Sequence, residues 1–360
     1  MESWKRNLIV CWFGMFVTMI GMSQIAPVLP LYIKQLGIHD TSLIEELSGI
    51  AFGVTYIISA IFSPIWGKLA DKVGRKPMLL RASLGMVVVV FRMGFVVNVY
   101  ELIGLRLLQG VISGYSTACT TLIATQTDKK NAGYALGTLS TATIAGTLLG
   151  PMIGGYLEET LGFQSVFLIT GGLLLIAFVI TFLFVKESFI PSNKRVPNIK
   201  EVWRLISHPE ILIISFGTSF ILQLALYSIE PIITVYITQL VHNSVHVTLI
   251  AGAVFSSAGL ATILFAPRVG RLSDEIGGQK VILVELIAAG LIFIPQAFVR
   301  SPWQLMALRF LLGISTAGLT PSIIALVKKI TPEAITGRIF GVAMSVQYLG
   351  IFGGFILGGK

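Results

Sequence analysis

Apolar runs of about twenty residues, separated by short polar stretches, repeat along the whole chain, and residues 166–185 run without a single charge. A helix of that length crosses roughly 30 Å of hydrocarbon. The pattern predicts eleven spans, near 8–33, 44–66, 77–97, 100–125, 134–157, 163–185, 211–239, 247–267, 280–299, 302–327 and 339–359. The fold class expected is therefore an all-α polytopic membrane protein. Composition agrees, with 54% hydrophobic and only 12% charged residues and a mean hydropathy of +0.86, outside ordinary soluble usage.

The apolar pattern is duplicated. Gly67, Leu69, Asp71 and Gly74 return as Gly270, Leu272, Asp274 and Gly277, an offset of 203 residues. Leu102, Arg106 and Gly110 return at the same offset as Leu305, Arg309 and Gly313. Gly146, Gly150, Gly154 and Gly155 return as Gly350, Gly354, Gly358 and Gly359, and PVLPLYIKQL at 27–36 as PIITVYITQL at 231–240, both offset by 204. Parallel halves of this kind are a transporter architecture with a site near the bilayer midplane. The expected organisation is an N-terminal six-helix half at 1–185, a cytoplasmic linker at 186–210 and a C-terminal half at 211–360. Because the first half continues past Gly155 into another helix, the second half reads as truncated, with its last span missing. Within the linker, 199–206 could form a short surface helix or a solvated tether.

A net charge of +9 raises the question of a polyanionic partner. With the N-terminus inside, twenty Lys and Arg fall in cytoplasmic segments and two, Lys34 and Arg300, outside. That bias sets topology, so no nucleic acid is expected. Cys11 and Cys119 fall near cytoplasmic span ends, where thiols stay reduced. His39, His208, His242 and His246 all sit in loops or at span ends. A buried Ser/His/Asp group cannot assemble from them, and no enzyme is expected.

The segment GKLADKVGRK at 67–76, with Arg106, Gln109 and Gly110 and with GTLLGPMIGG at 146–155, resembles the three signature motifs of the major facilitator superfamily. The last of these points to its twelve-span drug:proton antiporter branch. WKRNLIV at 4–10, LIATQ at 122–126 and ALGTLST at 135–141 are similar to bacterial multidrug-efflux proteins. The resemblance implies a major-facilitator fold and export of drug-like amphipathic compounds by alternating access. It implies the proton motive force as driver with no cofactor, a monomer in the bacterial plasma membrane, and lipid, protons and small molecules as partners. A sugar or metabolite facilitator is the alternative, and a non-transporting sensor a remote one.

Gating is expected at the repeated loops. Gly67, Gly74, Gly270 and Gly277 permit tight turns, and Asp71 could cap a helix or pair with Arg75. The second copy keeps Asp274 but replaces Arg75 and Lys76 with Gly278 and Gln279. Gly146, Gly150 and Gly154 share one helical face and offer a groove for a neighbouring helix. Pro151 can kink that helix; its counterpart is Phe355.

Ionisable residues inside spans are functional candidates: Arg92, Arg106, Glu230, Glu285 and Arg309. At 1.5 Å per residue, Arg106 lies about 9 Å along span four from Tyr100 and Glu230 about 28 Å along span seven from Ile211. Both then lie in an outer-half polar layer with Arg92, Arg309 and Gln24. Glu230 is the candidate for proton coupling, since burial raises a carboxylate's pKa and a nearby arginine lowers it; a structural ion pair with an arginine is the competing role. Arg106 matches the family's membrane-embedded arginine, which implies a part in coupling. Several antiporters of the branch carry an acid in span one, whereas 8–33 holds none. Glu285 is expected to snorkel from its span's cytoplasmic end, and Arg92 to reach the headgroups. Gln24, Gln109, Gln223, Tyr227, Tyr236 and Arg309 are the candidate cavity contacts.

Overall fold

The computed structural model describes residues 3–128, 131–189, 209–241, 246–331 and 336–359. The short surface helix considered at 199–206 lies outside them. Every expected span is helical. Span one comprises Ser3–Ser23 and Ile25–Gln35, span two Thr41–Val73, span three Arg75–Met93, and span four Val99–Ile112 and Tyr115–Gln126. Span five is Ala132–Leu161, span six Phe163–Phe184, span seven Pro209–Ser228 and Glu230–Leu240, and span eight Val247–Ile276. Span nine is Gly278–Phe293, running into a 3-10 turn at Ile294–Phe298; span ten is Pro302–Thr316 and Leu319–Ile330, and span eleven Thr336–Gly358.

By length and hydropathy alone, eight stretches of these helices could cross a membrane. The three other expected spans have identifiable reasons to fall short. Span three carries Arg75, Lys76, Arg81 and Arg92, and spans four and ten are each divided into two short helices. Spans one and seven are divided as well. Interrupted backbone at membrane depth is tolerated where protein or a cavity surrounds it, so the four interrupted spans mark the interior of the bundle.

The repeated GxLxD segments correct one expectation. They are not loops: span two runs helically to Val73 and span three begins at Arg75, leaving Gly74 alone as the turn. Gly277 does the same between spans eight and nine. Their φ values, +96° and +95°, belong to the left-handed region that favours glycine. A Cβ at Gly67 would meet nothing within 4 Å, so close packing does not explain that residue. Asp71, Gly270 and Asp274 lie on these helices, but their side-chain surroundings are outside the described set.

Glycines also set how the spans pack. A Cβ on Gly146 or Gly154 would approach Phe16 O or Gln24 O at 2.7 Å, and one on Gly150 would collide with Ser23 Oγ. Span five is thereby seated on span one, and Ser23 Oγ donates to Gly146 O at 3.1 Å. In the second half, Gly350 and Gly354 approach Phe220 O and Leu224 O of span seven at 2.5 and 2.6 Å on the same test. Removing the side chain lets backbones approach closely enough for dispersion to hold them.

The halves meet along two seams. Spans five and eight form one: Gly155 lies against Thr248 O and Gly252 against Pro151 O, and Ser256 Oγ donates to Leu148 O at 2.6 Å. Spans two and eleven form the other, with Gly49 against Phe355 O and Gly359 against Glu45 O. Pro151 interrupts the backbone bonding of span five at this seam, and Ser256 supplies a donor there from the other half. All these contacts lie toward the ends of the spans away from the basic GxLxD turns. The face bearing those turns is called the basic face below.

Candidate functional site

Arg106 is 1% exposed on the first part of span four. Its Nε donates to Ala51 O of span two at 3.1 Å and its Nη1 to Gln109 Oε1 at 2.7 Å. Gln109 sits one turn along the same helix and reaches Met22 Sδ of span one at 3.4 Å. Thr55 Oγ1 returns from span two to Arg106 O at 2.9 Å. A buried guanidinium held in this way is fixed rather than searching for a partner.

Arg309 repeats the position without the partners. It is buried on the first part of span ten, and its Nε and Nη2 find no acceptor. The counterpart of Gln109 is Leu312, which removes the side-chain acceptor. Glu230 begins the second part of span seven, where helix N-terminal N–H groups favour a negative charge. Glu230 and Arg309 lie within electrostatic reach of each other, yet they form no ion pair within 4 Å.

Beside Arg106 stands an aromatic cluster shared by the halves. Phe52 and Tyr56 come from span two, Tyr227 from span seven, and Tyr348 and Phe355 from span eleven. Phe52 stacks on Phe355 with ring centroids 4.8 Å apart, and Tyr227 meets Phe355 edge-on at 5.3 Å. Tyr56 touches Tyr227, Tyr348 and Phe355 at 6.2, 6.0 and 5.7 Å. The Arg106 guanidinium lies 5.5 Å from the Phe52 ring. On the basic side of Arg106 a cavity of about 100 Å³ opens, lined by Thr18, Met22, Tyr56, Ser59, Met86, Gln109, Ser113 and Tyr348 among others.

The sequence-derived candidates divide accordingly. Gln109 lines the cavity, whereas Tyr227 belongs to the aromatic cluster, and Glu230 and Arg309, within electrostatic reach of each other, do not line it. Gln24 does not: it is buried, and its amide donates to Thr170 Oγ1 of span six. Tyr236 is also elsewhere, with its hydroxyl donating to Val299 O at 3.1 Å in an apolar groove with Ile229, Ile232 and Phe293. Gln223 packs its Cβ against Gly350. Arg92 leaves the expected polar layer altogether, pairing at 2.7 Å with Glu101 while 57% exposed. Tyr56, Tyr348, Phe52 and Phe355 were not foreseen. No short motif marks them, and only assembly of three spans brings them together.

Two further carboxylates carry roles that the sequence did not suggest. Glu187, beyond span six, accepts the N–H of Arg75 at 2.8 Å and of Lys76 at 2.8 Å, capping the start of span three. Lys76 Nζ meanwhile donates to Phe182 O at 3.0 Å. Glu285, expected to snorkel, is 6% exposed, and its Oε1 accepts the N–H of Gly318 at 2.8 Å. Its nearness to the span's basic end does not predict this, because the donor N–H of Gly318 is freed only where span ten breaks.

Two interrupted pseudo-equivalent halves, glycine-seated spans and an embedded arginine pair are the hallmarks that comparison with other proteins resolves. The model described as "Major Facilitator Superfamily" matches residues 11–299 and 216–360. The chain belongs to this superfamily. It is 42% identical over 357 residues to "Multidrug resistance protein MdtG" of Salmonella schwarzengrund (strain CVM19633), covering 99% of this chain and 88% of the relative. The same protein of Salmonella newport (strain SL254) matches equally well. Among solved structures, a bacterial homologue of the human lysosomal transporter Spinster, inward-facing and unoccupied, superposes with a TM-score of 0.77 at 15% identity. It covers 98% of this chain and 81% of that one. The nucleoside transporter NupG gives 0.76 at 16% identity, covering 98% and 90%. These distant likenesses establish the fold; the multi-pass membrane character follows from the family and the spans.

Proposed function

We propose that the protein is a proton-coupled exporter of drug-like amphipathic compounds, working by alternating access in the bacterial plasma membrane. The N-terminus and basic face lie in the cytoplasm. The observation that carries this reading is the placement of Glu230: an acid at a helix break, near but not bonded to Arg309, beside aromatic rings contributed by both halves. An acid in that position can exchange its proton as the halves rearrange, and the rings offer apolar faces to a substrate. The similarity to multidrug resistance proteins supports the substrate class. The seams close the end away from the basic face while the cavity lies toward that face, which corresponds to an inward-facing state ready to load from the cytoplasm. One inward proton then supplies about 2.3 kcal/mol per 100 mV of membrane potential.

The sugar-facilitator alternative draws on the hydroxyls around the cavity. Three of them are already engaged: Thr18 Oγ1 with Gly14 O, Thr55 Oγ1 with Arg106 O and Ser59 Oγ with Gly110 O. That leaves fewer for a polyol. A substrate panel in proteoliposomes, read as counterflow of labelled dye and of labelled sugar, separates the readings. Dye counterflow without sugar counterflow is expected; the reverse would replace the exporter with a facilitator, and neither would favour a sensor.

A further inference from the structure

Spans four and ten break at corresponding places, between Ile112 and Tyr115 and between Thr316 and Leu319. In each half, span three or span nine sends one charged side chain to the break, and the two charges are opposite. Arg81 Nη2 donates to Ile112 O at 3.1 Å and Ser113 O at 2.7 Å, at the C-terminal end of the first short helix. The guanidinium also lies 3.7 Å from the Trp66 ring. Glu285 instead accepts the N–H of Gly318, at the N-terminal side of the second short helix. Each charge matches the end it meets, since carbonyls gather at helix C-termini and N–H groups at N-termini.

The two locks differ in what a proton can do. A guanidinium stays charged under all ordinary conditions, so the Arg81 lock is permanent. Glu285 is 6% exposed, and its Oε2 has no hydrogen-bond partner. A Cβ added at Gly318 would meet both carboxyl oxygens at 3.0 Å, which shows the group lying flat against the break. The side chains described around it offer no counter-charge. From span eight, Val269 packs on the same glycine; Arg268 turns to Leu264 O and is exposed, as is Glu275. Lys280 at the start of span nine is exposed. The side chains of Arg271, Asp274, Lys328 and Lys329 lie outside the described set. A bare carboxylate with one orphaned oxygen is heavily disfavoured in such surroundings, whereas a carboxyl group keeps one oxygen for the Gly318 N–H and carries its proton on the other.

We propose that Glu285 is a second proton-binding site, distinct from Glu230, which holds a proton on Oε2 in this conformation and gives it up when the break in span ten opens to water. Its part in coupling rests on the transport reading; the presence of the proton does not. The test is infrared difference spectroscopy of the full chain in lipid vesicles at neutral pH, where carboxyl and carboxylate absorb separately. Wild type should show a protonated-carboxyl band that is lost in Glu285→Gln and retained in Glu230→Gln. An undiminished band in Glu285→Gln would overturn the proposal. If that variant does not fold, Glu285→Asp takes its place: a shifted band is expected, and an unmoved one contradicts it. The spectrum needs no substrate, so failed dye counterflow with an intact Glu285 band would count against the transport reading alone.

Discussion

The two halves of this protein share a backbone plan and divide the chemistry between them. In the first, Arg106 is satisfied by Ala51 O and Gln109, and Arg81 clamps the break in span four. Arg81 nevertheless leaves its Nε and Nη1 unpartnered, as Arg309 of the second half leaves its Nε and Nη2, and in that second half acids stand at the breaks of spans seven and ten. The embedded arginine is present in both copies; the first half adds the cation Arg81 and has Ala26 at the counterpart of Glu230, and the second half adds two acids that a proton can alter. That asymmetry suits the proposed proton coupling, because a site whose charges are all fixed cannot favour different states of the cycle.

The comparison can be broken most severely at the seams. Gly252→Val forces side-chain atoms onto Pro151 O, and overpacking of this kind costs about 1–3 kcal/mol. We expect transport to fall by roughly tenfold or more, with the symmetry-related Gly49→Val behaving alike at Phe355. Melting temperature and dye counterflow check both. Unequal losses would mean that the seams, too, have diverged.

Next comes Arg81→Gln. Removing the guanidinium leaves two carbonyls at the span-four break with weaker partners, a loss of about 1–3 kcal/mol. Because no proton is involved, the loss in thermal stability should be the same at mildly acidic and mildly alkaline pH. A pH-dependent loss would contradict the permanent lock.

A smaller effect is expected from Glu187→Gln, which keeps one acceptor for the N–H groups of Arg75 and Lys76 but loses the charge at the helix N-terminus. That is worth about 0.3–1 kcal/mol, read as a shift in melting temperature. The smallest effect concerns Glu159, which joins the halves by accepting Leu249 N–H at 2.9 Å and meeting His246 Nδ1 at 2.8 Å. Glu159→Gln keeps the first contact and weakens the second, which is mostly exposed on the histidine side, so less than about 1 kcal/mol should be lost.

Much of this arrangement was legible in the sequence. Glycines spaced by four announced the span-five and span-eleven grooves, and the 203-residue repeat announced two halves. Gly49 and Gly252, which seat the seams, also follow that repeat, but a glycine outside any longer motif carries too little signal. Glu285 was hidden by register: the offset that pairs Gly74 with Gly277 pairs Arg81 with Val284, which is 62% exposed, and the functional counterpart is one residue further on. Gln24 misled for a different reason. Depth along a helix does not reveal which neighbour a side chain faces, and Thr170 of span six takes it. The aromatic cluster depends on three spans and two halves meeting, which no local pattern encodes.

The division of labour between the halves is tested most directly by recording dye and proton movement together in vesicles containing wild type or Glu230→Gln. Wild type should accumulate dye against its gradient while protons move the other way. Glu230→Gln should still exchange labelled for unlabelled dye but neither accumulate it nor move protons. Accumulation by Glu230→Gln at the wild-type level, with protons still coupled, would contradict the assignment of the responsive acid to the second half.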